Sequence, residues 1–249
     1  MQIVLEENEL HNHQIFLENG YIIVKNSTNT YEKIQDELTS IFEMDLNRIH
    51  QSDLKDINPI RLDAIKRLNQ DHSFHHSIYN DFKSYIYSLV GNELAMQKNI
   101  NLSIHRPNIS DDLLDIHSDS LCGNSNYELT VWMPLTKAYD SNSMYIIPLK
   151  DSVQAITKLK NGEYKTIENL KEDVKSKYKF INIDPGETLL FSHNLLHGNI
   201  INETSETRCS INMRFKSLLT PYDQKEMGSY YIPISPKPVT KLGNMFDEL

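Results

Sequence analysis

Apolar positions recur at helical spacing in the first third of the chain and at strand spacing beyond it. Tyr21-Ile22-Ile23-Val24 is a β-like run within residues 1–26, and Ser27-Thr28-Asn29-Thr30 then offers capping side chains. From Tyr31 to about Met44, Ile34, Leu38, Ile41 and Phe42 share one helical face. A second helix is expected from Asn58-Pro59, because proline suits a first turn, with Leu62, Ile65 and Leu68 as its apolar stripe. A third runs from about Ser77 to Val90, with Ile78, Phe82, Ile86 and Leu89 on one face and Gly91-Asn92 as its stop.

From about Ala95 the texture changes to short β-rich runs between turn residues: Ile100–His105, Leu129–Met133, Ser143–Ile147, Phe180–Ile183, Thr188–Phe191 and Cys209–Phe215. Several alternate apolar and polar side chains, as half-buried strands do. Repeated short strands of this kind predict a sandwich or barrel. Asp151 to about Lys160 interrupts them as a helix, with Val153, Ile156 and Leu159 inside. Asn161 to about Lys179 reads as a polar insertion. Pro221, Pro233, Pro236 and Pro238 predict an irregular wrap after Leu219.

At 249 residues, 39% hydrophobic and 24% charged, the chain has ordinary globular usage and length enough for its own core. It is therefore taken as one domain, 1–249: strands and supporting helices over 1–95, a β core over 96–216 and a wrap over 217–249. The formal net charge of −9, with scattered lysines, argues against a duplex-binding face and against anionic membranes. No run reaches transmembrane length, and the N-terminus lacks a basic n-region and an apolar h-region. Cys122 and Cys209 are too few for a disulfide framework. The expectation is a reduced, cytoplasmic protein with neither nucleic-acid nor membrane partners; the sequence does not fix its oligomeric state.

The most informative stretch is Leu114-Asp115-Ile116-His117-Ser118-Asp119-Ser120, followed far downstream by Leu195-Leu196-His197-Gly198-Asn199. Two imidazoles and one carboxylate can occupy one face of an octahedral iron and leave the other open. A His-Xaa-Asp tripeptide alone is equally a strand-end histidine and a turn aspartate. Arg208 follows His197 by eleven residues, at the start of Arg208–Phe215. With His197 closing one strand and Arg208 opening the next, both can face one cavity, where a guanidinium would grip a carboxylate with two hydrogen bonds. The plainer alternative for Arg208 is a surface ion pair.

This pattern resembles the phytanoyl-CoA dioxygenase-like superfamily of 2-oxoglutarate oxygenases, closest to the branch found in bacterial surface-carbohydrate gene clusters. Leu129–Leu135, Asn142–Pro148 and Gly186–Phe191 add to the likeness, which spans residues 97–216 at most. The resemblance implies a mainly β fold, a double-stranded β-helix (jelly roll, cupin-like) with flanking N-terminal α-helices. It implies Fe(II) on His117, Asp119 and His197, and 2-oxoglutarate held by Arg208. The expected reaction takes molecular oxygen and hydroxylates a C–H bond of a small molecule, a sugar, nucleotide-sugar or glycan-biosynthesis intermediate. Asp119 favours hydroxylation over halogenation, since related halogenases lack this carboxylate. Trp132 looks like the tryptophan lining the co-substrate pocket, with ordinary core packing as its alternative. Asn199 stands where relatives often have serine. Pro148–Ser152 departs from the Pro-Gly-Ser-His turn of many relatives, so nothing is transferred there.

Asn101, Ser103 and His105 alternate on one strand face. Gln97 and Asn101 are candidates for co-substrate contact and His105 for substrate contact, against the alternative of a polar face open to water. His193 and His197 are four apart, but Asn194 replaces the glutamate a zincin needs, so His193 reads as a turn residue near the site mouth. His72–His76 reads as a loop or helix start, and His11 and His13 as exposed. Arg214, at an even offset from Arg208, is its rival for the carboxylate. Two other functions compete: a cupin-like sugar epimerase or isomerase, and a non-catalytic carbohydrate-binding jelly roll.

Overall fold

The computed structural model describes residues 7–53 and 56–247. In chain order the elements are α1 (Glu7–Asn19), β1 (Tyr21–Lys25), α2 (Thr30–Phe42), α3 (Asn58–Leu68) and α4 (Ser73–Leu89). Then come β2 (Leu94–Gln97), β3 (Asn101–His105), β4 (Glu128–Pro134), β5 (Tyr145–Ile146), α5 (Leu149–Lys160), α6 (Ile167–Val174) and β6 (Lys179–Phe180). The chain finishes with β7 (Glu187–Ser192), β8 (His197–Gly198), β9 (Arg208–Ser217), β10 (Tyr231–Pro233) and α7 (Pro238–Asp247).

The major sheet is antiparallel, in the order β1-β7-β4-β9-β2-β10, with β3 also paired to β9. The minor sheet is β6-β5-β8, extended by an antiparallel bridge between His117 and His197. Two antiparallel sheets with helices outside them make the expected jelly roll with its N-terminal helices. Strand alternation assigns each side chain a face. Leu129, Val131 and Met133 of β4 and Cys209, Ile211, Met213 and Phe215 of β9 form one buried cluster with Ile34, Leu38, Ile78, Phe82 and Ile86 of the helices. The opposite residues of the same strands look toward the minor sheet, where Trp132, Met144, Ile146, Leu189 and Phe191 form a second cluster. Helices α5 and α6 cover the far side of the minor sheet through Ala155, Leu170 and Val174.

Several expectations need correction. Residues 7–19 form a helix, not β-like runs; with Leu10 and Leu17 exposed and only Ile15 and Phe16 packed on the core, its stripe is too thin to read. It ends at Gly20, whose φ of 77° needs the left-handed region that glycine enters freely. Leu62 and Val153 face solvent, and Ala64, Ser152 and Ala155 take the inner positions instead. The polar insertion contains α6, opened by a reciprocal Thr166–Asn169 cap and buried through Leu170 and Val174 one turn apart. The wrap holds β10, which pairs with β2, and α7. His75 is fully buried at the start of α4, with its Nε2 2.9 Å from the Lys98 carbonyl oxygen. His13 is half-buried, its ring 2.6 Å from the Ser88 carbonyl. Among the described residues, no helix is long and apolar enough to cross a membrane.

Candidate functional site

Backbone pairing brings the histidines together. His117 N donates to His197 O at 3.0 Å and His197 N to His117 O at 2.8 Å, so the two strand ends are locked side by side. Gly198 must be glycine here: a Cβ would lie 2.7 Å from the Tyr145 hydroxyl and 3.0 Å from the Leu114 carbonyl oxygen. Asp119 sits in a 3-10 turn two residues after His117. One donor atom from each of His117, Asp119 and His197 falls within 4.8 Å of the others.

The ring orientations are set from behind. His117 Nδ1 is 2.7 Å from Asp115 O, and His197 Nδ1 is 2.9 Å from Leu195 O. A carbonyl only accepts, so each Nδ1 carries a proton and each ring is turned with Nε2 as the nitrogen left for a metal. Burial, then the neighbouring His117, lowers His197 to about 4, so it stays neutral near pH 7. Burial alone would raise Asp119, but Arg214, His197 and His193 hold its carboxyl well below the usual range. Arg214 Nη2 donates to Asp119 Oδ1 at 2.9 Å, and Thr130 Oγ donates to Oδ2 at 3.3 Å. Two imidazoles and one carboxylate are the donor set that suits a divalent metal.

Arg208 opens β9 on the same inward face, 3% exposed. Its Nε donates to Asn142 O at 3.1 Å, and Nη1 donates to Ser210 Oγ at 2.7 Å and to Ser103 Oγ at 3.2 Å. Its Cζ lies 5.6 Å from the centre of the Trp132 ring. Among the described residues no carboxylate pairs with it, and burial lowers the guanidinium to about 10. A buried cation held only by neutral groups is poised for an anionic ligand.

Arg208, Trp132, Asn199 and the three donors line one cavity with Ser103, Thr130, Met144, Phe191, Asn212 and Arg214. Gln97 and Asn101 do not line it: Gln97 Oε1 accepts from Arg214 Nη1 at 3.0 Å, and Asn101 Nδ2 donates to Asn212 Oδ1 at 3.1 Å. Each therefore stands behind a lining residue, not at a ligand. The Asn199 amide is already spent on the 112–114 loop, accepting from Leu114 N at 2.5 Å and donating to Asp112 O at 3.3 Å. His105 is fully buried with its Nδ1 3.0 Å from Asn142 O, away from the lining. His193, expected at the mouth, is also fully buried, between Glu128 and Asp119. Arg214 is occupied by Asp119, so of these two rivals Arg208 is the one without a carboxylate partner among the described residues. Thr130 and Ser210 were not among the sequence candidates; strand parity with Trp132 and Arg208 is the signal that could have found them.

The family model described as phytanoyl-CoA dioxygenase (PhyH) matches residues 16–210 of this chain. The streptomycin biosynthesis protein StrG of Streptomyces griseus is 24% identical over 232 residues, 87% of this chain and 98% of that protein. The non-heme monooxygenase ThoJ, solved as a nickel complex, superposes with a TM-score of 0.56 at 16% identity over 92% of this chain and 85% of its own. HygX from Streptomyces hygroscopicus, solved with nickel and 2-oxoglutarate bound, gives a TM-score of 0.53 at 12% identity, covering 96% of this chain and 94% of its own.

Proposed function

This chain belongs to the phytanoyl-CoA dioxygenase family, and from that premise we propose an Fe(II)- and 2-oxoglutarate-dependent oxygenase that hydroxylates a C–H bond of a sugar or glycan-biosynthesis intermediate. One observation carries this reading: a three-donor cluster and a buried guanidinium without a carboxylate line the same cavity. The 2-oxoglutarate in HygX and the metals in HygX and ThoJ support it by analogy. The biosynthetic role in the name of StrG supports a small pathway intermediate as substrate.

In this reading His117 and His197 present Nε2 lone pairs and Asp119 a carboxylate oxygen to the iron. Iron and 2-oxoglutarate, when bound, supply the oxidising chemistry with O2, and succinate and carbon dioxide leave as co-products. Arg208 pairs with the far carboxylate of 2-oxoglutarate, held to one angle by Asn142, Ser103 and Ser210. Trp132 beside Arg208 and Phe191 beside His197, with Met144, give the cavity an apolar lining that keeps water out. The protein's remaining task is to decide which C–H bond lies near the metal.

The test is turnover with Fe(II), 2-oxoglutarate and O2 against a panel of sugars and nucleotide-sugars. Succinate formed in step with a product heavier by one oxygen is expected. A product of unchanged mass, formed without consuming 2-oxoglutarate, would install a sugar epimerase in its place.

A further inference from the structure

Asp119 is held from behind by two routes that start at adjacent residues of the C-terminal segment. In the first, the Tyr231 hydroxyl donates to Glu128 Oε2, and His193 Nδ1 lies 3.0 Å from the same carboxylate oxygen. His193 Nε2 then faces Asp119 Oδ2 at 3.7 Å. His193 and Tyr231 are fully buried and Glu128 is 5% exposed. Neither imidazole nitrogen meets hydrogen-bond geometry with any group among the described residues, so His193 stands between the two carboxylates by proximity alone. In the second route, Arg214 Nη1 donates to the Tyr230 hydroxyl at 3.3 Å and to Gln97 Oε1 at 3.0 Å, while Nη2 donates to Asp119 Oδ1 at 2.9 Å.

The segment that carries both tyrosines is sewn onto the barrel. Tyr231 pairs with Gln97 across β10 and β2, and Lys98 N donates to Tyr230 O at 2.8 Å. Arg214, Tyr230 and Tyr231 all lie beyond residue 210, where the family match ends. Two buried carboxylates, one buried arginine and one buried imidazole are costly groups to keep out of water. Here they converge on the single carboxylate of the donor cluster, and each of its oxygens is faced by a different route.

We propose that Tyr230 and Tyr231 are positioning residues for the metal: through Arg214, and through Glu128 and His193, they fix the Asp119 carboxylate before the metal arrives. This rests on Asp119 being a metal ligand. Groups bonded directly to a ligand, as Arg214 is to Asp119, typically change metal affinity about 10–100-fold when removed, and the tyrosines stand further back.

The experiment compares the intact wild-type protein with Tyr231→Phe, Glu128→Gln, His193→Gln and Tyr230→Phe. Each metal-free protein is checked by thermal unfolding, then titrated anaerobically with Fe(II), and with Co(II) for its visible d–d spectrum. The tyrosine variants keep the ring and delete only a hydroxyl, so they fold even where the charged-site variants do not. Fe(II) binding weakened about tenfold or more in Glu128→Gln or His193→Gln, and several-fold in each tyrosine variant, with altered Co(II) bands, is the expected result. Unchanged affinity and unchanged Co(II) bands in the folded tyrosine variants would overturn the proposal and leave the network purely structural. Failure of wild-type protein to bind either metal would instead remove the reading of Asp119 on which it rests.

Discussion

The two faces of strands β4 and β9 differ in nearly everything except their backbone. Facing the helices, Leu129, Val131, Met133, Cys209, Ile211, Met213 and Phe215 are all within 2% of full burial and make no demand beyond shape. On the inward face, Thr130, Trp132, Arg208, Ser210 and Arg214 are nearly as buried, and Asn212 partly so, yet all but Trp132 are polar or charged. The register sets them across from one another, Thr130 beside Arg214 and Trp132 beside Asn212. One residue of parity thus separates the positions that hold the fold from those that make the site. The outer face contributes hydrophobic burial, while the inner face carries desolvated charge that ligands are built to compensate.

The comparison is broken most severely by Asp119→Ala. Fe(II) retention, measured by metal analysis after anaerobic loading, is expected to vanish while the far-UV spectrum stays that of the wild type. Arg208→Ala is next: 2-oxoglutarate binding falls roughly 100- to 1000-fold, the scale of losing one partner of a buried charge pair. Metal content is unchanged, which calorimetry on the metal-loaded protein can verify. Ile211→Ala acts in the opposite sense. It lowers the unfolding free energy by roughly 2–4 kcal/mol in urea titrations through a cavity under α2–α4, and Fe(II) affinity per folded molecule stays as it was.

The smallest effect is one of pH. Burial lowers His75 from 6.5 to about 4. The unfolded chain therefore binds a proton that the folded one resists, so this contribution is full above about pH 6.5 and is lost as pH falls through 4. Wild-type protein should lose more stability between pH 7 and pH 5 than His75→Gln does, and equal losses would show that His75 is not the group responsible.

Much of this division was legible in the sequence because alternation is local. Cys209 beside Arg208, or Val131 beside Trp132, announces opposite faces without knowledge of the fold. The three donors were named through the family resemblance, to which the eleven-residue spacing of the distal histidine and Arg208 contributed. What was not legible depended on partners distant in the chain. Gln97 looked like a co-substrate contact because its reach toward Arg214 exists only once β2 and β9 are neighbours. His193 looked like a turn residue because Glu128 comes beside it only through β4–β7 pairing. Helix α6 hid in a polar stretch since only Leu170 and Val174 are buried. The role of the C-terminal segment rests on β10 joining the sheet, and proline-rich composition gave no hint of that.

The central claim is that the inward face of this barrel holds iron and 2-oxoglutarate together. Its most direct test is the visible spectrum of metal-free protein given Fe(II) and then 2-oxoglutarate under anaerobic conditions. A weak charge-transfer band is predicted to appear only with both present, to be absent in Asp119→Ala and to need far more 2-oxoglutarate in Arg208→Ala. No band in the wild type, with no iron retained on desalting, would contradict the account and leave the cavity as a binding site for some other anion.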